Sequence, residues 1–304
     1  MRVRRTNVMA NGNDLEKIRA IIESDADTII LELEDLCPLP QKEEARMLAA
    51  KVLREWDFRG LDRIVRINTP NTELGKQDLA AILPARPDGI RLPMCETVEY
   101  VRSVDQIMTD FERENGLPLN GIELILMIET PLGVRNCYEL ASCAPRITGI
   151  AFGANDLANA MGVTRDMTAG SLQFLYARQK IALDAKAAGV DVYDTIVVCR
   201  PDEVEAMGEY LRADTEYIKM IGFNGRSVSR LEHVAVVNQV FAPSAEEAAH
   251  AERVVTEYDT AAKSGVNNIF IDGKFVDPPI LESARKTLEY LEEIRRKQAL
   301  KKKY

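Results

Sequence analysis

LILMIETPLGVRNCYELASCAPRITGIAFGAND, residues Leu124 to Asp156, holds two fully apolar runs on either side of one helical segment. The first run, Leu124 to Ile128, stops at a carboxylate, Glu129. A turn carrying Pro131 and Gly133 leads into the helical segment, which Pro145 closes. The second run, Ile147 to Phe152, stops at Gly153 and then Asp156. Two such runs joined by one helix read as a βαβ unit with parallel strands. Parallel neighbours lie about 4.8 Å apart, so carboxylates just past both C-terminal ends come within reach of one ion. Glu129 and Asp156 therefore fall on the rim where α/β folds bind ligands, and the pair reads as a divalent-metal site. Two solvated loop acids are the plainer alternative.

The 304-residue sequence suits one barrel-sized domain with an extension. A net charge of −9 argues against general nucleic-acid binding. The basic cluster Arg295, Arg296, Lys297 and Lys301 to Lys303 reads as a solvated helix end. No apolar run approaches a membrane span, and no signal-peptide core opens the chain. Five cysteines, none in a C-x-x-C pair, read as free thiols in a reducing cytoplasm.

Strand-like runs recur at Val3 to Met9, Thr28 to Leu33, Arg63 to Ile67, Gly89 to Leu92, the two runs above, Val192 to Val198 and Tyr217 to Ile221. Helical segments alternate with them, including Ser171 to Ala188, where Leu172, Leu175, Tyr176, Gln179 and Leu183 suggest an apolar face. This alternation predicts a (β/α)8 TIM barrel over residues 1–240. The doubly wound sheet is disfavoured because no G-x-G-x-x-G follows the first strand. Residues 241–304 read as a C-terminal extension: a capped helix from Ser244 to Ser264, a short strand-like piece over Ile269 to Val276, and a final helix from Ile280.

Catalytic groups in such barrels come from strand C-terminal ends. In order these are Glu34 and Asp35, Arg66, Glu129, Asp156 and Asp194. Several acids facing one arginine suggest Mg²⁺ held by carboxylates and water, with a substrate carboxylate gripped by Arg66. His233 and His250 both lie outside the predicted rim, which disfavours a histidine zinc site or a Ser-His-Asp triad. Lys219, inside the predicted eighth strand, is the candidate for Schiff-base chemistry, the minor alternative.

Leu31-Glu-Leu-Glu-Asp35, Val65-Arg-Ile-Asn68, Ile128-Glu-Thr-Pro-Leu-Gly133 and Ala151-Phe-Gly-Ala-Asn-Asp-Leu157 together resemble the citrate lyase β-subunit family of the HpcH/HpaI aldolase superfamily, which includes malyl-CoA and citramalyl-CoA lyases. Phe241-Ala-Pro-Ser and Asp272-Gly-Lys-Phe-Val-Asp-Pro278, followed by Ala284-Arg285, extend the resemblance over essentially the whole chain. It implies a Mg²⁺-dependent carbon–carbon lyase that cleaves a 3-hydroxyacyl thioester of CoA or an acyl-carrier protein into a 2-oxo acid and an acyl thioester. It further implies that Arg66 and Gly133 bind substrate, that Glu129 and Asp156 bind the metal, and that Glu34 and Asp35 sit near the metal and orient its waters, a structural role at a strand end being the alternative. Asp277 would be the acid/base, supplied from a neighbouring subunit of a homo-oligomer, a trimer or hexamer.

The sequence departs from the family pattern at four places. Met94 stands for the usual lysine after the fourth strand, and Asn155 for the usual glutamate beside the metal. Val228 to His233 replaces the usual thioester-side segment, and Asn11-Gly12-Asn13 replaces Pro-Gly-Asn. The expectation is retained chemistry with an altered thioester side. The alternatives are a metal-dependent 2-oxo-acid aldolase or thioesterase not using CoA, and a catalytically reduced scaffold subunit of a lyase complex.

Overall fold

The structure, a computed structural model, describes residues 2–168, 171–197, 199–263, 265, 269–271 and 273–301. Eight parallel strands close a barrel in chain order: β1 (Thr6–Asn11), β2 (Thr28–Glu32), β3 (Asp62–Arg66), β4 (Gly89–Leu92), β5 (Glu123–Ile128), β6 (Ile147–Phe152), β7 (Asp191–Val197) and β8 (Gly225–Val228). The helices between them are α1 (Leu15–Glu23), α2 (Lys42–Glu55), α3 (Glu73–Ile82), α4 (Val98–Glu114), α5 (Pro131–Arg135), α6 (Cys137–Ala141), α7 (Ala154–Ala160), α8 (Leu175–Ala188) and α9 (Val204–Met220), with α10 (Val234–Phe241) after β8. This is the (β/α)8 architecture that the alternation predicts.

The chain divides into two compact units, Arg4–Phe241 and Ala242–Tyr304 with Met1–Val3. In the second unit α11 (Ala245–Ala262) packs on α12 (Pro278–Lys301), and β9 (Ile269–Ile271) pairs antiparallel with β10 (Lys274–Val276). Val254, Tyr258, Ile271, Val276 and Leu281 form its separate core. Ser244 opens α11 with a reciprocal cap: its Oγ accepts from Glu247 N, while Glu247 Oε2 accepts from Ser244 N. Val198, Ser264, Asp272, Lys302 and Lys303, which belong to segments expected from the sequence, lie outside the described residues.

Side chains alternate across each strand, so every second residue points into the barrel. Met9, Ile30, Ile64, Ile125, Met127, Ala151 and Tyr193 form this interior layer, distinct from the larger core between strands and helices. Gly149 makes room for the Tyr193 ring, which a Cβ there would meet at 2.8 Å. Arg4 pairs with Asp62 and Glu123, and Arg5 with Asp27, near the strand N-terminal ends. Charge at that face of a barrel belongs to stability.

The same alternation corrects the placement of Asp194. Its neighbours Tyr193 and Thr195 face the barrel interior, so Asp194 faces the helices, and it is fully buried there. Arg178 of α8 spans Asp194 at 2.9 Å and Asp214 of α9 at 3.0 Å, and Arg226 reaches Asp214 at 3.1 Å. Asp194 is part of a buried ion-pair network, not of the rim. Asp194→Ala is expected to cost about 3–5 kcal/mol in denaturant unfolding, because it strips a carboxylate from two buried guanidiniums.

The predicted eighth strand is also corrected. Tyr217 to Ile221 closes α9, and Lys219 is a helix residue rather than a barrel-lining lysine. The true β8 is the polar Gly-Arg-Ser-Val, whose Arg226 pairs outward with Thr215 and Asp214 through Nη1 and Nη2. On α8 the buried face is Ala177, Arg178, Ile181, Ala182 and Ala185, whereas Leu172, Tyr176 and Leu183 of the expected face are exposed. Small residues let this helix approach the strands closely, and Arg178 must face inward to reach its acids.

Candidate active site

A cavity of about 180 Å³ opens at the C-terminal end of the barrel. Arg66, Arg91, Met127, Gly153, Asp156, Thr195 and Ser227 line it, together with Asp35. Arg66 ends β3 and faces inward. Glu32, its register partner at the end of β2, holds Arg66 Nε at 2.5 Å, and both side chains are buried. Arg66 Nη1 lies 3.1 Å from Glu34 Oε2 and 3.7 Å from Asp35 Oδ2. Glu34 and Asp35 follow β2 in a loop that Lys42 clamps: its Nζ donates to Leu33 O, Glu34 O and Asn68 Oδ1. Glu32 is not among the residues that strand ends single out; alternation from Thr28 and Ile30 marks it as inward-facing.

Glu129 follows β5, buried, with Oε1 accepting from Met94 N at 2.8 Å. Met94 holds a left-handed φ of 54° to present that N–H, a conformation uncommon for a side chain of its kind. Gly153 admits the glutamate: a Cβ there would sit 2.5 Å from Glu129 Cβ and 2.6 Å from its Oε2. Asp156 stands in the first turn of α7, capped at Gly153, where the helix dipole favours a carboxylate. Asn155 beside it accepts from Arg165 Nη1 at 2.8 Å. Gly133 lies in α5, its N–H given to Thr130 Oγ1, and a Cβ there would fall 2.6 Å from the Cys95 carbonyl. Its visible work is to let α5 pack closely. Asp277 belongs to the second unit, where its Oδ1 accepts from Ile280 N and caps α12.

Negative charge exceeds positive at this mouth, and burial makes the excess costly. Burial pushes Glu129 up to about 7, with Asp156 adding repulsion against the Met94 hydrogen bond and Arg66. Burial likewise pushes Glu34 up to about 8; Arg66 pulls the other way but is shared with Glu32 and Asp35. Crowded carboxylates of this kind suit a divalent cation. Among the described residues no group of three or more His, Cys, Asp or Glu side chains forms a full cage. Two carboxylates with water and substrate oxygens in the remaining positions fit the sparse oxygen coordination of Mg²⁺ better than zinc.

The raised Glu34 has a consequence for stability. Its folded value lies above the unfolded one near 4.5, so the fold binds the proton more tightly. Stability is therefore lost as pH rises from about 4.5 to about 8. Glu34→Gln removes this dependence, so its stability advantage over the unsubstituted chain is expected to widen from pH 5 to pH 9 in urea titrations. A constant difference would contradict the burial argument.

Residues 5–230 match the family described as HpcH/HpaI aldolase/citrate lyase. The citrate lyase subunit beta of Leuconostoc mesenteroides subsp. cremoris is 33% identical over 288 residues, covering 95% of this chain and 93% of that protein. The human mitochondrial citramalyl-CoA lyase is 30% identical over 306 residues, covering 97% and 87%. Among solved structures, the protein CitE from Mycobacterium tuberculosis, in complex with magnesium, acetoacetate and coenzyme A, superposes with a TM-score of 0.70 at 25% identity, over 96% of this chain and 99% of that one.

Proposed function

The chain belongs to the HpcH/HpaI aldolase/citrate lyase family and is a carbon–carbon lyase, and from that premise we propose that it cleaves a 3-hydroxyacyl thioester of the citryl, citramalyl or malyl type into a 2-oxo acid and an acyl thioester. The observation that carries this reading is the shared mouth: the buried Glu129 against Gly153, Asp156 one turn on, and Arg66 beside them. The magnesium and coenzyme A bound by the Mycobacterium tuberculosis relative support it.

Glu129 and Asp156 would hold Mg²⁺, whose chemistry when bound is to polarise the oxygen at the breaking bond. Arg66 is preset by Glu32, and its Nη2, used in none of the contacts with Glu32, Glu34 and Asp35, is left to meet the carboxylate of the oxo acid. Glu34 and Asp35 would orient water around the cation. Cleavage breaks the C–C bond as the hydroxyl oxygen becomes the carbonyl of the oxo acid, and in net terms the hydroxyl proton passes to the acyl carbon, whose enolate is basic enough to need a positioned acid/base to carry it. We assign that proton delivery to Asp277, supplied from a neighbouring copy in a homo-oligomer of three or six chains. The thiol belongs to CoA or to an acyl-carrier protein in a lyase complex.

Purified chain with Mg²⁺ is expected to release a 2-oxo acid from citryl-, citramalyl- or malyl-CoA and none from the matching free acids. Release from free acids alone would overturn the thioester reading. Thiol release without an oxo acid would mark a thioesterase. Light scattering measures the oligomer, and a monomer would remove the shared site.

A further inference from the structure

Eight arginines are buried among the described residues, and seven of them, Arg4, Arg5, Arg46, Arg66, Arg146, Arg178 and Arg226, have a carboxylate within ion-pair distance. Arg91 has none. It is 2% exposed, on β4, and its register partner is Arg66 on β3. Nη1 donates to Ser227 Oγ on β8 at 3.0 Å, while Nε and Nη2 have no hydrogen-bond partner. The side chain lines the same cavity as Arg66.

A buried guanidinium with no carboxylate in contact and two N–H groups unpaired is costly, and is retained where a ligand completes the pairing. Burial, and after it the neighbouring Arg66, lowers its proton affinity only to about 10, so it is a cation at neutral pH. The unused Nε and Nη2 form the edge of the guanidinium that accepts a carboxylate with two parallel bonds. Arg66, one strand away, already pairs with Glu32 and Glu34; Arg91 hydrogen-bonds only to the hydroxyl of Ser227, and the Glu32 and Glu129 carboxylates act on it from beyond ion-pair distance. Two guanidiniums on adjacent strands, one cavity deep, match two carboxylates on one small molecule.

We propose that Arg91, oriented by Ser227, is a second anion subsite that binds a further carboxylate of the oxo acid, so that the acid released is a 2-oxo dicarboxylate rather than a monocarboxylate such as pyruvate or glyoxylate. This rests on the lyase reading above and narrows it to substrates whose hydroxyacyl part carries an additional carboxyl group.

The test is calorimetry on the full chain with Mg²⁺, using oxaloacetate, pyruvate and succinate as probes, in unsubstituted, Arg91→Met and Arg91→Lys forms. Oxaloacetate is expected to bind at least about tenfold tighter than pyruvate. Arg91→Met brings oxaloacetate down to the pyruvate level and leaves pyruvate unchanged. Arg91→Lys, charged but without the fork, keeps only part of the preference. Equal loss for oxaloacetate and pyruvate would show Arg91 reading a carboxylate common to both and would overturn the proposal, as would a preference untouched by either substitution. Should Arg91→Met fail to fold, the Arg91→Lys comparison decides in the same terms. Arg91-dependent succinate binding as strong as that of oxaloacetate keeps the subsite but counts against the lyase reading, since the 2-oxo group would then contribute nothing. The ligand-free Arg91→Met chain is expected to melt at or above the unsubstituted one; a lower melting temperature with equal loss for every probe marks a structural strut and overturns the subsite.

Discussion

Glu129→Gln is expected to weaken Mg²⁺ binding by about a hundredfold or more and to lower thioester cleavage by about a thousandfold, while leaving the ligand-free protein more stable above pH 7. The substitution conserves shape. The amide oxygen still accepts from Met94 N, and Gly153 still provides the space. What disappears is one of two anionic donors, and Asp156 alone is a poor holder for a cation that keeps most of its water. The stability gain follows from the same charge. Burial and Asp156 raise Glu129 to about 7, so the folded chain loses stability as pH climbs from about 4.5 to 7, and a neutral amide escapes that loss. A variant at once more stable and less active is what a functional carboxylate produces, since sites hold charge that the fold alone would reject. Calorimetry with Mg²⁺ and an oxo acid, paired with thermal melts at pH 6 and pH 8, reads both arms. Unchanged Mg²⁺ affinity would move the cation elsewhere.

The parts of this arrangement that were legible in the sequence are those where one physical signal dominates. β5 and β6 are apolar on both faces because parallel barrel strands are buried on both; their ends are therefore unmistakable, and Glu129 and Asp156 followed. β8 has no such signal. Its Arg226 and Ser227 are buried polar residues held by partners on other elements, whereas the end of α9 carries the apolar run that local pattern marks as a strand. Position along β7 points Asp194 to the rim, whereas parity against Tyr193 sends it outward. Parity also exposes two residues that a list of strand ends passes over, Glu32 and Arg91, each within its strand rather than beyond it. Charge inside a strand was the available signal. Asp277 is proposed as the acid on the family resemblance alone, since no periodicity singles it out.

Asp277→Asn is expected to lower turnover by about 10²–10⁴-fold with Mg²⁺ and oxo-acid binding unchanged. The choice of asparagine matters because Asp277 has a visible second job. Its Oδ1 accepts from Ile280 N and opens α12, and removing such a cap costs about 1 kcal/mol. Asparagine caps as well as aspartate but cannot deliver a proton at neutral pH, so it separates the two jobs. Asp277→Ala is then expected to lose both activity and about 1 kcal/mol of stability. A purely structural residue predicts the opposite split, with Asp277→Asn turning over normally and only the alanine variant impaired. The source of the acid is read by mixing. If each site joins the barrel of one chain to Asp277 of the next, co-assembling Asp277→Asn with Glu129→Gln chains creates sites with both residues intact, about a quarter of the total by random pairing in a cyclic oligomer. Two inactive preparations that together recover up to that fraction place the acid in trans. If the mixture stays inactive while subunit exchange is shown by mass spectrometry, the proton comes from the same chain, and the homo-oligomer is not needed for chemistry.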